Sequence, residues 1–389
     1  MNENSDAGVD DSENETLLSY PPRKVRISHI QGELDGLWDD YQQDLNDGQA
    51  VTRACMSNLI IFCDNDELSA EIETDIPDIV QTHPARVLLL SSAAQTSEPG
   101  IEVFISSHYC KLGSGLQVCG EQIRVVADTQ ASRRLPSIAL AQLVGDLPTT
   151  LWWASRQPPP LAGKLFYKLA AMADQIIYDS IGWINPTKGL QAMSRWVAAE
   201  RNEYVVFNLA WRRLKPWRHL LSQVLDPTIQ PGALDRVSHI TIEHGPNALP
   251  MALLMLGWCA FLLDWKATEG KASLGKETVL HFNHSGRQIP VTIKRQDMGK
   301  PTLHKLYWHW QNKKMYSAVF ARLGDERLGI VGDDSDVPVR VISAPEHCRS
   351  VLVSAQMAHR SRDKMFEQAL EVGNSMVSVL SASDPSKNA

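Results

Sequence analysis

A chain of 389 residues, 43% hydrophobic and 21% charged, has the make-up of a folded globular protein with room for two cores. Its formal net charge of −7 excludes a dedicated nucleic-acid binder, which needs a large basic excess. Six cysteines over this length make no disulfide framework and point to a reducing, cytoplasmic setting.

In chain order, residues 1–20 hold six acidic side chains and no Lys or Arg, so the rest of the chain is close to neutral. The first 25 residues are expected to form a disordered acidic tail, too polar to bury itself and without a secretory signal. "GELDGLWDDYQQDL" then sets Leu34, Leu37, Trp38, Tyr41 and Leu45 at helical spacing. Short apolar runs come next at 58–63, 86–91, 101–106, 122–127, 149–154, 175–180 and 204–210, with helices between several of them, as at 136–145 and 164–174. Several runs are apolar on both faces, the mark of strands covered on both sides. Residues 26–228 are therefore predicted to form an α/β domain with a largely parallel sheet flanked by helices.

Asp226-Pro227 and Pro231-Gly232 mark a boundary. Beyond it, residues 229–389 read as a smaller α+β domain with an antiparallel sheet, closed by one helix over about 348–375. The apolar stretch 249–263 is fifteen residues against the roughly 20 that a spanning helix needs, so a buried soluble helix is expected and no membrane partner. In "YCKLGSGLQVCGE", a hairpin turning at Ser114-Gly115 puts Cys110 opposite Cys119, a candidate redox pair.

The densest stretch is "NLAWRRLKPWRHLL", residues 208–221. Trp217, Leu220, Leu221, Val224 and Leu225 recur at helical spacing, so Trp217 is a core residue and Arg218 faces outward. Trp211, Arg212, Arg213 and Lys215 are read as a loop at the carboxyl end of a strand, where open α/β sheets bind ligands. The following helix start offers free N–H groups to an anion. Asp179, Ser180, Trp152 and Trp153 end strands at the same edge. Two readings stay open here: cations that are merely solvated or paired, and a site for a phosphate or a partner's carboxylates. The two tryptophans are likewise either interface anchors or core.

No catalytic or cofactor motif emerges. "GKASLGKE" has Glu277 where a phosphate-binding loop needs Ser or Thr, and no strand precedes it. G-x-S-x-G and H-E-x-x-H are absent. His281 and His284, three apart on a predicted strand, point to opposite faces and share no metal.

"HPARVLLL", "CGEQIRV", "LPTTLWWAS", "ADQIIYDS", "NLAWRRLKPWR" and "LLMLGWCAFLLDW" occur in the order found in the OpcA family of glucose-6-phosphate dehydrogenase assembly proteins, which residues 50–265 resemble. The resemblance implies a non-catalytic, cofactor-free partner that binds glucose-6-phosphate dehydrogenase and activates it in the oxidative pentose phosphate pathway. Two positions depart from the family pattern: Asn208 stands where relatives have Asp, and Ile181 where they tend to have a basic residue. The alternative is a sugar-phosphate or nucleotide sensor, with the cationic junction as its anion pocket.

Overall fold

The computed structural model describes residues 18–19, 21–44, 52–53, 55–93, 100–112, 115–200, 203–273, 276–331 and 339–382. Its first sheet is built on six parallel strands. In chain order these are Ser57–Cys63, Ala85–Ala93, Gly115–Asp128, Thr149–Trp153, Gln175–Tyr178 and Val205–Asn208. Numbered 1 to 6, they lie side by side as 3-2-1-4-5-6, the order of doubly wound dinucleotide-binding sheets. Every residue of Ser57–Cys63, Thr149–Trp153 and Gln175–Tyr178 is buried, as strands with helices on both faces must be. Ile101–Leu112 adds an antiparallel edge beside Gly115–Asp128.

Two expectations fail on this edge. Leu18–Ser19 and Arg23–Val25 pair with Ile101–Leu112, so the predicted tail to residue 25 ends earlier; its residues 1–17 lie outside the described residues. The hairpin register also differs. Cys110 pairs with Gln117, and the ladder shifts between His108 and Tyr109, leaving Cys119 as the extra residue between Val118 and Gly120. Cys110 is displaced because the hairpin closes with Leu112 opposite Gly115, two residues off the register that a Ser114-Gly115 turn implies. The Cys110–Cys119 pair is therefore not a cross-strand pair.

The second sheet holds eight strands, antiparallel except where Val237–His244 runs parallel to Arg287–Arg295. Arg287–Arg295 and Leu303–Asn312 alternate buried and less buried positions, the signature of a sheet covered on one face. Helices Leu249–Leu262 and Lys364–Ala382 supply that cover and also meet helix Pro186–Ala199 of the first sheet. Leu249–Leu262 and Lys364–Ala382 touch so closely that a Cβ on Gly257 would lie 2.3 Å from the Ala369 carbonyl oxygen. One continuous apolar core thus runs from the first sheet to the second. Among the described residues no helix is long and apolar enough to cross a membrane.

The single closing helix predicted over 348–375 is two, Arg349–Met357 and Lys364–Ala382. Asp363 accepts the Phe366 N–H at 3.0 Å and starts the second one, the role of an N-cap carboxylate. The shorter helix returns to the first sheet, where Leu352, Val353 and Met357 join Trp152, Ile177 and Phe207 on its other face.

Candidate functional site

Strand Val205–Asn208 passes directly into helix Leu209–Arg213, and then into Lys215–Val224. Trp211, Arg212 and Arg213 are therefore helical, where a loop was expected. Asn208 is the reason. Its Oδ1 accepts the Ala210 N–H at 2.9 Å, which lets the helix begin on the strand's last residue. Ser180 and Asn208 are buried and bonded to each other, Asn208 Nδ2 donating to Ser180 Oγ at 2.9 Å. Both hold the strand ends together and are almost fully buried, although Asn208 also lines a cleft beside Trp211.

Trp152 and Trp153 are each 1% exposed. Adjacent strand residues point to opposite faces, and both faces here are covered. Trp153 stacks on Phe62 at 4.4 Å between ring centres, and its indole N–H reaches the Gln157 carbonyl at 2.8 Å. Trp152 fills the opposite cluster. The interface reading of this pair is thus corrected: both are core.

The charged residues divide more finely. Arg213 Nη1 donates to Asp179 Oδ2 at 2.7 Å, tying the helix to the neighbouring strand end. The Arg218 guanidinium lies 3.4 Å from the centre of the Trp211 ring, and burial there pushes it down to about 10, against the pull of nearby Asp363. Trp211 in turn donates its indole N–H to Asp363 Oδ2 at 2.7 Å. Arg212 and Lys215 remain. Among the described residues neither side chain makes a hydrogen bond or ion pair.

Both line a cleft of about 480 Å³ at the carboxyl edge of the parallel sheet. Its far wall comes from the second sheet, with Lys300, Arg322, Glu346 and His347, and from helix Arg349–Met357. Lys300 Nζ sits 2.8 Å from both Asp325 and Glu346, whose hydrogen bonds hold its ammonium above the ordinary lysine value. Arg322 lies 3.4 Å from Glu346 and donates to the Ala344 carbonyl at 2.8 Å. Arg212 and Lys215 also line a neighbouring cleft with Arg218, His359 and Lys364. Two cations without carboxylates thus stand between two clefts, one of them exposed and the other half-buried.

The point where the strand order reverses lies between Ser57–Cys63 and Thr149–Trp153. Doubly wound sheets place a dinucleotide there, its pyrophosphate against the first helix start. Here the turn after the first strand is Asp64-Asn65-Asp66. Asn65 Oδ1 caps Leu68 N at 2.8 Å, and Ser155 Oγ donates to Asp64 Oδ2 at 2.7 Å. The helix's positive end is met by the chain's own carboxylates, which repel a pyrophosphate. The turn was readable in sequence, directly after the first apolar run. The contribution of Lys300 and Arg322 was not, because they arrive from the second sheet.

A doubly wound sheet joined through a shared core to a mainly antiparallel sheet, with a cationic edge and an acidic crevice, defines the class. The particular family emerges from comparison with known proteins. Residues 77–195 match the family described as "Glucose-6-phosphate dehydrogenase subunit N-terminal domain", and residues 204–370 its "C-terminal domain" partner. The chain belongs to the OpcA family. Similar relatives include the OxPP cycle protein OpcA of Nostoc punctiforme, 30% identical over 222 residues, 56% of this chain and 46% of that one. The protein of the same name in Synechocystis is 28% identical over 280 residues, 71% and 52% of the two chains. The chain spans about half the length of these relatives. Among solved structures, an oxidoreductase from Parabacteroides merdae aligns with a TM-score of 0.49 at 8% identity, covering 86% of this chain and 99% of that one. A myo-inositol 2-dehydrogenase from Lactobacillus plantarum aligns at 0.43 and 9%, covering 85% and 98%.

Proposed function

We propose that this chain is a cytoplasmic, non-catalytic partner of glucose-6-phosphate dehydrogenase that supports its assembly and activity in the oxidative pentose phosphate pathway. The observation that carries this reading is the pair Arg212 and Lys215, unpaired between two clefts in a member of the OpcA family. Such cations suit carboxylates presented by a partner, where they guide encounter and register. The acidic Asp64-Asn65-Asp66 turn supports the absence of dinucleotide chemistry in this chain. The sensor alternative draws less support at this junction, because Arg213, Lys300 and Arg322 are already matched by Asp179, Asp325 and Glu346. An activator must bind the active arrangement of its enzyme more tightly than the inactive one. Titrating the chain into its cognate dehydrogenase and measuring initial rates tests this. A saturable change in kcat or KM is expected, and unchanged values at saturation would remove the activator role.

A further inference from the structure

A second cleft, of about 600 Å³, lies between the two sheets on the other side of the loop after strand Gln175–Tyr178. Its size suits a small organic molecule. One wall is the start of helix Pro186–Ala199. Pro186 has no N–H, and Asn185 Oδ1 already accepts the Lys188 N–H at 3.1 Å, so the Thr187 N–H is the donor left at this helix end. Lys188 projects from the same turn, and Lys276 and Arg295 reach in from the second sheet. Among the described residues no carboxylate lines the cleft. Asp297, outside the lining, reaches Lys276 and Arg295 only at 3.9 Å each and is itself well exposed.

Two buried polar side chains in the lining have spare hydrogen-bonding capacity. Trp183 is 6% exposed and stacks on Tyr178 at 5.5 Å between ring centres. Gly189 makes room for it, since a Cβ there would come within 2.5 Å of the ring. The Trp183 indole N–H has no partner among the described residues, a cost that buried donors rarely bear unless a ligand or ordered water meets them. His244 is 3% exposed, and its Nδ1 bonds the Gly245 carbonyl at 2.7 Å, leaving Nε2 as the uncommitted ring nitrogen. The remaining wall is apolar, with Leu249, Leu253, Val377 and Leu380.

We infer that this cleft binds a small organic phosphate, with the phosphate at the start of helix Pro186–Ala199 between Lys188 and Arg295, and the uncharged carbon body toward the apolar wall. A helix N-terminus with cations on both sides suits a doubly charged group. The Trp183 N–H is then available to a phosphate or hydroxyl oxygen, and His244 Nε2, an acceptor because Nδ1 donates to the Gly245 carbonyl, to a ligand hydroxyl. The site is separate from Arg212 and Lys215, which line other clefts.

Isothermal titration of the full chain with glycerol 3-phosphate, inorganic phosphate and succinate tests the inference. Glycerol 3-phosphate is expected to bind more tightly than inorganic phosphate, because the carbon body adds contact, and more tightly than succinate. Lys188→Glu with Arg295→Glu should weaken glycerol 3-phosphate at least about tenfold, the scale of lost charge-assisted contacts. Should that variant fail to melt cooperatively, Lys188→Gln with Arg295→Gln replaces it with the same direction of change. Trp183→Phe keeps the stacked ring, removes only the N–H, and should weaken binding about three- to tenfold. Arg212→Glu should leave the affinity unchanged. No binding of any probe overturns the inference. So does binding that Arg212→Glu abolishes while the Lys188 and Arg295 variants retain it, and so does tighter binding of succinate.

Discussion

Trp211 donates its indole N–H to Asp363 at 2.7 Å, across 152 residues of chain. The bond ties the first helix after the parallel sheet to the cap of the last helix. The same carboxylate accepts the Phe366 N–H and lies near the Arg218 guanidinium. Asp363→Ala should therefore cost about 1–3 kcal/mol, since it leaves a buried indole N–H unmet and removes a helix cap. Urea unfolding measures this. A loss below about 0.5 kcal/mol, the level of an ordinary surface change, would show the bond to be incidental.

Arg86 and Glu121 sit opposite each other on adjacent parallel strands, and Arg86 donates through Nη2 and Nε to one Glu121 oxygen at 2.7 and 3.0 Å. Glu121 is 0% exposed. Removing one partner of such a pair strands a buried charge. Glu121→Leu should cost about 3–5 kcal/mol, and Arg86→Met in the same chain should recover most of it. Chemical denaturation of the two single variants and the double supplies the cycle. A double variant as unstable as Glu121→Leu alone would mean that packing, not the stranded charge, sets the cost.

His108 and His244 are both buried, and burial holds each below the ordinary imidazole value. In both, a hydrogen bond opposes that shift without cancelling it. A lowered folded value means that the unfolded chain takes up protons first as pH falls. Their contribution is present in full above about 6.5, the unfolded value, and is lost as pH drops toward the folded values. Thermal unfolding measured from pH 7.5 to 5.5 should show a falling midpoint. Replacing His108 by Gln should flatten that slope, and an unchanged slope would assign the proton uptake elsewhere.

The parallel sheet was legible because its strands are apolar on both faces, and the second sheet because strand-like runs follow one another there with few helices between. The strand order was not, since it depends on which apolar runs sit side by side. The same limit governs the site. Arg212 and Arg213 are neighbours of one type, yet only Arg213 finds Asp179, because the helix that Asn208 starts turns it that way. Trp152 and Trp153 read as interface anchors or core with equal ease until helix Arg349–Met357 is seen to cover one face of the sheet. Cys110 faces Gln117 because the hairpin closes with Leu112 opposite Gly115, and no local spacing chooses that register over the one a Ser114-Gly115 turn implies.

The claim that Arg212 and Lys215 dock the dehydrogenase is tested most directly by measuring association of the cognate enzyme with the wild-type chain and with Arg212→Glu/Lys215→Glu, at low and at high salt. Arg213 is left intact so that the Asp179 pair still holds the fold. The wild type should associate more slowly as salt rises, while the reversed variant should be slow at both and retain the wild-type melting temperature. A variant that folds and binds with wild-type rate and salt dependence would contradict the account and move the interface elsewhere.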